Sequence, residues 1–598
     1  MGSFAELHCH SDFSFLDGAS SADDLVERAL ERGLTALAVT DHQGLYGVVR
    51  FTSAAHEVGL HPIVGMEVEL LDPAVPDTLG VVVPRKRRKR SSAADTAIPV
   101  PAGNGLPHIP VAERKRPPGH RDTRKEDLRG VRARELGSHL VLLAENESGY
   151  SSLCRLASAA HLGGTKGVPR FTHQLLTQHT EGLVALTGCR HGELSRRLLA
   201  GDRHGAEQAA RSLRDRFGEK LYVELQHHLL PDDDWLVAEL ARLAYELGLP
   251  TLVTNDAHYA WPEGRELQDV LVGIHHGMPL DECQHLRRPN GEYFIKGEQE
   301  LRALPPALPD AGPLVNAAWN EGIVNTGAVA ARCRVELEFE RYRFPGFDVP
   351  KGETPYSELV RLCHDGARRR YHPLTSRVVK QMAHELDVIE RTGLAEFFLI
   401  CWDLMKFCKD RGIPAQGRGS AGDSIVAYVL GITRVDPIRH DLLFERFINE
   451  GRTSYPDVDI DFASSRREEV IQYVYEKYGT EHTGMVCNVV TYRARSAVRE
   501  VGYALGFPRP LVDRVAKALE TYDSVMVRRD LEAEGGFAEF FQIPQAGAGA
   551  ELGSSPAAGG SLPQAVAAAV ATRAAEVVAE QASAHGFVGP MGELNHPR

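Results

Sequence analysis

Three aspartates alternate with apolar residues in Tyr455-Pro456-Asp457-Val458-Asp459-Ile460-Asp461-Phe462. On a β-strand, residues two apart share a face. Asp457, Asp459 and Asp461 are therefore expected on one side, with Val458, Ile460 and Phe462 against a core on the other. Such a row of carboxylates repels itself and calls for a cation. A pair of Mg²⁺ ions suits it, because Mg²⁺ takes oxygen ligands from one or two carboxylates and from substrate phosphates. Two such ions about 3.5–4 Å apart clamp the attacking and leaving oxygens in phosphoryl transfer. A solvated acidic edge shows the same alternation, and the motif alone does not separate the two.

Upstream, Gln416-Gly417-Arg418-Gly419-Ser420-Ala421-Gly422-Asp423-Ser424 precedes the apolar run Ile425 to Leu430, which reads as a helix. Small residues, a serine and an arginine before a helix suggest an anion nest in which backbone N–H groups and the helix N-terminus face a phosphate. A tight turn with an N-cap is the other reading. Between the two motifs lies Leu442-Leu443-Phe444-Glu445-Arg446-Phe447-Ile448-Asn449. Taken together, these stretches resemble the palm of bacterial DNA polymerase III alpha subunits, the C family of replicative polymerases, from about Thr392 to Gly506. The resemblance implies that Asp457 and Asp459 are the catalytic metal ligands and that Asp461 supports them. Arginine matches phosphate with a bidentate fork. Singly, each arginine here is more commonly a surface ion pair, but several converge on one motif. Arg418 and Arg446, with Gly419 and Ser420, are the expected phosphate contacts. Arg452 is a further candidate, as are Arg493 and Arg495 in Thr491-Tyr492-Arg493-Ala494-Arg495.

A second constellation opens the chain. His8-Cys9-His10 places two histidines two apart, an arrangement that on a strand suits joint metal ligation. Asp17 follows, then an amphipathic helix from Ala22 to Arg32. The strand Ala36 to Thr40 carries Asp41-His42 at its end, the strand Pro62 to Glu69 carries Glu67, and Thr251 to Thr254 leads into Asp256 and His258. Polar residues at strand C-termini, with helices between, suggest a (β/α) barrel with its site on that face. The pattern resembles the PHP (polymerase and histidinol phosphatase) domain that begins these same polymerases. That resemblance implies metal ligation by His8, His10, Asp17, His42, Glu67, Asp256 and His258, joined by His139 and Cys189. It also implies bound Zn²⁺, Mn²⁺ or Fe, serving a 3′–5′ exonuclease or stability alone. Mixed histidine and carboxylate ligation does not fix the metal.

The expected architecture is α/β: an N-terminal PHP (β/α) barrel followed by an α+β C-family polymerase palm with a helical thumb. The PHP domain is expected at 1–278, interrupted by a disordered basic insertion at 72–137 that contains Arg85-Lys86-Arg87-Arg88-Lys89-Arg90. The palm with its connecting region follows at 279–490, a thumb-like helical segment at 491–543, and an Ala/Gly-rich tail at 544–598. A net charge of −13 excludes a chain that is basic throughout but not a local nucleic-acid footprint. No apolar run is long enough to span a bilayer. Nine cysteines without a C-x-x-C pair suggest reduced thiols and a cytoplasmic protein.

The segment around His8 to Ser20, with Leu45 to Phe51 and the basic insertion, resembles the error-prone branch that performs damage-induced translesion synthesis. The expected reaction is DNA-directed nucleotidyl transfer with Mg²⁺ at the palm. Its substrates are primer–template DNA and deoxynucleoside triphosphates. Its partners, by analogy, are the sliding clamp and translesion accessory proteins. The family uses a third aspartate further downstream, whereas the last aspartate here is Asp530. A shortened chain with little primer extension of its own is therefore expected. The alternatives are a metal-dependent PHP phosphoesterase or 3′–5′ exonuclease beside an inactive palm, and a non-catalytic DNA-binding fragment.

Overall fold

The structure, a computed structural model, describes residues 4–71, 137–165, 167–304, 312–337, 346–448, 456–480, 482–486 and 488–518. The insertion at 72–136, Arg452 and the Ala/Gly-rich tail lie outside them. The chain divides into two compact units, Met1–Leu337 with Thr491–Arg598, and Glu338–Val490.

Seven strands form the sheet of the first unit: β1 (Ala5–Glu6), β2 (Ala36–Val39), β3 (His61–Leu71), β4 (Gly137–Ala144), β5 (Leu183–Leu186), β6 (Leu221–Leu225) and β7 (Thr251–Val253), in chain order across the sheet. Gly137, placed by the sequence reading at the edge of the insertion, begins β4. Parallel pairing runs through β1–β2–β3 and β5–β6–β7, but β4 is antiparallel to both neighbours. The sheet is thus mixed, because an antiparallel neighbour needs no crossover back to the same end. Its strands read as continuous apolar runs because both faces are covered: Ala38, Ile63, Val141 and Val184 are buried on one side, and Val39, Val64, Met66 and Leu142 on the other. The sheet curls until its first and last strands meet. Just past β1 and β7, Cys9 pairs with Ala257, His10 N donates to Ala257 O (2.7 Å), and Ala257 N donates to His8 O (3.0 Å).

Two later segments group with this unit. The helix Gly312–Arg332 buries Val315, Trp319 and Ile323 in the core beside β7, and Thr251 Oγ1 donates to Ala318 O (2.7 Å). The helix Ala494–Ala504, expected in a thumb, packs on the helix Gly264–His276, with Leu280 N donating to Ala504 O (2.8 Å).

The second unit is mainly helical: Pro355–Arg370, Ser376–Arg391, Ala395–Asp410 and Arg467–Tyr478 are its long helices. Among its described residues, β8 (Ala415–Arg418) and β9 (Asp459–Phe462) form the one sheet, an antiparallel pair. Its core joins Leu359, Phe398, Leu399, Val426, Phe444 and Phe447. Asp403 fixes the last helix by accepting from Tyr473 Oη (2.7 Å), Tyr478 Oη (3.0 Å) and Lys477 Nζ (2.5 Å).

A buried carboxylate organises the short helix Ile425–Leu430. Glu385 Oε2 accepts from Ser424 Oγ (2.8 Å) and Val426 N (3.1 Å), and Oε1 accepts from Ile425 N (3.0 Å). The negative charge lies at the helix N-terminus, where orphan amides and the macrodipole favour it. Leaving a buried donor unsatisfied costs about 1–3 kcal/mol. Glu385→Ala is therefore expected to lower unfolding stability by at least about 2 kcal/mol in urea titration, and Glu385→Gln by less. A loss within experimental error for the alanine variant would contradict this account of the helix.

Candidate metal centre and acidic strand

In the first unit, β3 and β4 and the turns that follow β1, β2, β5 and β7 deliver side chains to one cluster. Glu67 lies at its middle. Oε1 is 2.9 Å from His139 Nδ1 and 3.2 Å from His8 Nε2, while Oε2 is 2.7 Å from His42 Nδ1 and 3.9 Å from His10 Nε2. Asp256 Oδ1 lies 3.3 Å from His8 Nε2, 3.4 Å from His10 Nε2 and 3.1 Å from His258 Nε2. Asp17 reaches His42 (2.8 Å) and His258 (3.5 Å), and Cys189 Sγ is 3.4 Å from His139 Nδ1. All nine residues marked in the sequence thus join one network. His8, His10, Glu67, Asp256 and His258 are buried, whereas His42, Asp17 and His139 are about a quarter exposed and form its open side.

Tight backbone turns aim several of these groups. Leu16, Gln43 and Asp256 adopt φ of 62°, 57° and 46°. These are left-handed values uncommon outside glycine and concentrated at functional sites. Asp41 ties the first loop down, accepting from Ser11 N (2.8 Å), Ser11 Oγ (2.7 Å) and Ser14 Oγ (2.7 Å).

The donor set fits metal ions. His8 Nε2, His10 Nε2, Glu67 Oε2 and His258 Nδ1 are buried and crowd one another without well-directed hydrogen bonds, a costly state that a shared cation would relieve. Three groups, His10–His42–His258 and His8–His10–Asp256, which share His10, and Glu67–His139–Cys189, each bring their donor atoms within 4.8 Å of one another. Burial, with His258 and His42 alongside, pushes His10 down to about 3, which leaves its imidazole neutral and able to ligate. Burial opposes charge on Glu67, but His139 and His42 outweigh it and hold the carboxyl well below its usual range. Nitrogen, oxygen and thiolate donors together suit Zn²⁺, Mn²⁺ or Fe.

Three supporting residues carry no motif. Glu224, inside β6, accepts from His8 Nδ1 (2.7 Å) and from Gln226 Nε2 (2.8 Å). A carboxylate behind a histidine fixes its tautomer and raises its basicity. Glu6 joins the two sheet edges by accepting from His8 N (3.0 Å) and Asn255 N (3.0 Å), and burial raises its pKa to about 7. Arg288, over the Tyr293 ring at 4.6 Å, contacts His258 and lies 3.5 Å from Asp17. One charged residue within an otherwise apolar strand was the available signal for Glu224. No sequence pattern marks Arg288.

In the second unit, Asp457, Asp459 and Asp461 are exposed while Val458, Ile460 and Phe462 are half-buried against its cores. β9 starts at Asp459, so Asp457 precedes the strand instead of lying in it. The register sets Arg418 opposite Asp459. Its Nη1 is 3.2 Å from Asp459 Oδ2, and its Nε is 3.1 Å from Asp461 Oδ2. Gly419, with φ of 72°, turns the chain beside the acid: a Cβ there would lie 3.9 Å from Asp459 Oδ2. The exposed oxygens are hard donors of the kind Mg²⁺ takes.

The glycine-rich turn differs from the expected nest in one respect. The amides at the start of helix Ile425–Leu430 are taken by Glu385, so that N-terminus faces an internal carboxylate and not a phosphate. Gly419 and Ser420 lie in the preceding 3-10 turn, Gly419–Asp423. Arg446 is exposed, with Nε 3.9 Å from Asp423 Oδ2. Arg493 and Arg495 belong to the first unit, at the start of the helix Ala494–Ala504.

A carboxylate that holds a metal-ligating histidine commonly supports metal affinity by about 10–100-fold. Glu224→Gln is expected to weaken Mn²⁺ binding within about that range in equilibrium dialysis, although Glu224 meets the ligand cluster through His8 and is not itself one of the grouped donors. Unchanged affinity would remove Glu224 from the centre.

Residues 6–228 match the PHP domain, and residues 357–547 match the bacterial DNA polymerase III alpha NTPase domain. The error-prone DNA polymerase of Nocardia farcinica is 40% identical over 536 residues, which cover 87% of this chain and 44% of that protein. The DNA polymerase III subunit alpha of Treponema pallidum is 34% identical over 555 residues, 91% of this chain and 42% of that one. The chain spans less than half the length of these curated relatives. Among solved structures, an amidohydrolase from Chromobacterium violaceum covers 43% of this chain and 87% of its own at 14% identity, with a TM-score of 0.21, too slight a likeness to argue from. The chain therefore carries a PHP domain followed by a bacterial DNA polymerase III alpha domain, and over most of its own length it is a relative of the error-prone DNA polymerases.

Proposed function

We propose that the second unit holds the nucleotidyl-transfer centre of an error-prone DNA polymerase acting in damage-induced translesion synthesis. The observation that carries this reading is the β8–β9 register, which sets Arg418 and the Gly419 turn against Asp459. Asp457 and Asp459 would hold Mg²⁺, which when bound lowers the pKa of a primer 3′-hydroxyl and neutralises triphosphate charge. Arg418 lends its fork to the phosphates while Asp461, at its Nε, orients the guanidinium. Gly419 and Ser420 offer backbone amides at close approach, which a side chain at 419 would hinder. Arg446 supplies a second exposed cation. The substrates are primer–template DNA and deoxynucleoside triphosphates, and the product beside the extended strand is pyrophosphate. A sliding clamp and translesion accessory proteins are the partners by analogy with the relatives, in the cytoplasm. Among the described residues no helix is long and apolar enough to cross a membrane.

A second activity is favoured by the buried ligand cluster. His8, His10, Asp17, His42, Glu67, His139, Cys189, Asp256 and His258 would hold Zn²⁺, Mn²⁺ or Fe, which supply a Lewis acid and a nucleophilic water for phosphoester hydrolysis at a DNA 3′ end. The protein's own contribution is to hold His10 unprotonated, to position His8 through Glu224, and to keep the open side at Asp17, His42 and His139.

Paired variants separate the two units. Mg²⁺-dependent binding of a fluorescent deoxynucleoside triphosphate is expected to fall at least about tenfold in Asp457→Ala/Asp459→Ala, as for loss of charge-assisted contacts. His8→Ala/His10→Ala is expected to retain that binding and lose 3′-end hydrolysis. Triphosphate binding unaltered in the aspartate pair would sink the polymerase assignment.

A further inference from the structure

An exposed aromatic pair lies on two loops of the first unit that also carry residues of the ligand cluster. Phe15 is 48% exposed and Tyr46 37%, and their ring centroids are 5.4 Å apart. Phe13 extends the strip, 6.2 Å from Phe15. Both exposed rings ride on loops that also carry cluster residues: Phe15 lies two residues before Asp17, and Tyr46 four residues after His42. None of the three aromatic residues has a part in the metal network.

These rings are held in place. Tyr46 lies across Gly44, where a Cβ would fall 2.3 Å from the ring, and its hydroxyl is 3.4 Å from His161 Nε2. His161 is itself anchored by a contact to Gln43 O (2.8 Å). Phe13 sits on Gly47, where a Cβ would fall 2.7 Å from the ring. On either side of Leu16, with its φ of 62°, Phe15 is left to solvent and Asp17 reaches His42. Two fixed glycines and a left-handed backbone residue thus support apolar surface in water, which is unfavourable unless something covers it. A positioned apolar patch with a polar rim marks a binding surface.

The neighbouring chemistry selects the occupant. The cluster is suited to a phosphoester, and a ligand that joins a phosphoester to a flat apolar group is a nucleotide. Bases stack on aromatic side chains without regard to sequence. We propose that Phe15 and Tyr46 form a stacking platform for the terminal base of a single-stranded DNA end whose phosphodiester faces the ligand cluster. This rests on the phosphoesterase reading of the first unit. It gives that site a preference for frayed or mismatched ends, because an unpaired base is extruded at lower cost.

The test uses the full chain with Mn²⁺ and a single-stranded oligonucleotide ending in 2-aminopurine, whose fluorescence is quenched on stacking. Quenching is expected on binding. In Phe15→Ala/Tyr46→Ala it is expected to disappear, and binding to weaken about tenfold or more. Phe15→Tyr/Tyr46→Phe should restore both. Phe15→Leu/Tyr46→Leu keeps apolar bulk for folding and should still lose the quenching. A strand with an abasic end should bind the wild type and the leucine pair equally. Quenching that persists in the leucine pair, or equal weakening for the abasic end, would overturn the platform. Equilibrium dialysis of Mn²⁺ in parallel distinguishes the two failures: metal without quenching removes the platform alone, and quenching without metal removes the phosphoesterase reading alone.

Discussion

The first unit is built around a carboxylate shared by imidazoles in a place that water barely reaches. Isolated charges are expensive to bury, and only close opposite charge or a metal offsets the loss of hydration. Glu67 meets this with His8, His42 and His139 within 3.2 Å, spread over both of its oxygens. That demand reaches the whole sheet. β3 must stand between β2, which brings His42, and β4, which brings His139. The sheet must also curl far enough for Cys9 to pair with Ala257, because only then do His8 and His10 face Asp256 and His258. Glu6, bonded to amides on both edges, secures that seam from within.

The second unit handles negative charge in the opposite way. Its aspartates stay in solvent, and the apolar residues between them pack inward. The β8–β9 register is decisive here. A slip by one residue would set Arg418 opposite Ile460 and send the carboxylates toward the core. Gly417 contributes to that register: its amide donates to Ile432 O (2.7 Å), and a Cβ there would lie 2.8 Å from the same oxygen. The glycines of this turn therefore serve different ends, one permitting close backbone packing and the other, Gly419, a left-handed bend beside Asp459.

Much of this was legible from local spacing. His8 and His10, two apart, and the Asp–His pairs at strand ends announced themselves, because strand geometry alone puts such residues on one side. The aspartate alternation was equally readable. What escaped depended on partners distant in the chain. Glu224 resembles any strand residue until His8, 216 positions away, is brought against it. The expected phosphate nest at the helix Ile425–Leu430 is occupied by Glu385, 40 positions before Ile425. Local motif logic correctly sees a helix N-terminus wanting an anion, but it cannot tell an internal carboxylate from a ligand. The grouping of two helices likewise depends on distant partners. The helices Gly312–Arg332 and Ala494–Ala504 carry no local mark of the unit they join, and packing assigns both to the first. The reversal of β4 likewise left no local trace, since an apolar strand reads the same in either direction.

The central claim is that imidazoles and carboxylates from opposite edges of one curled sheet converge to hold metal. Anomalous X-ray scattering from crystals of the Mn²⁺-soaked protein, collected at the manganese edge, addresses it directly. The account predicts anomalous peaks bounded by His8, His10 and Asp256 and by Glu67, His139 and Cys189. A well-ordered cluster with these side chains in place and no peak among them would contradict it.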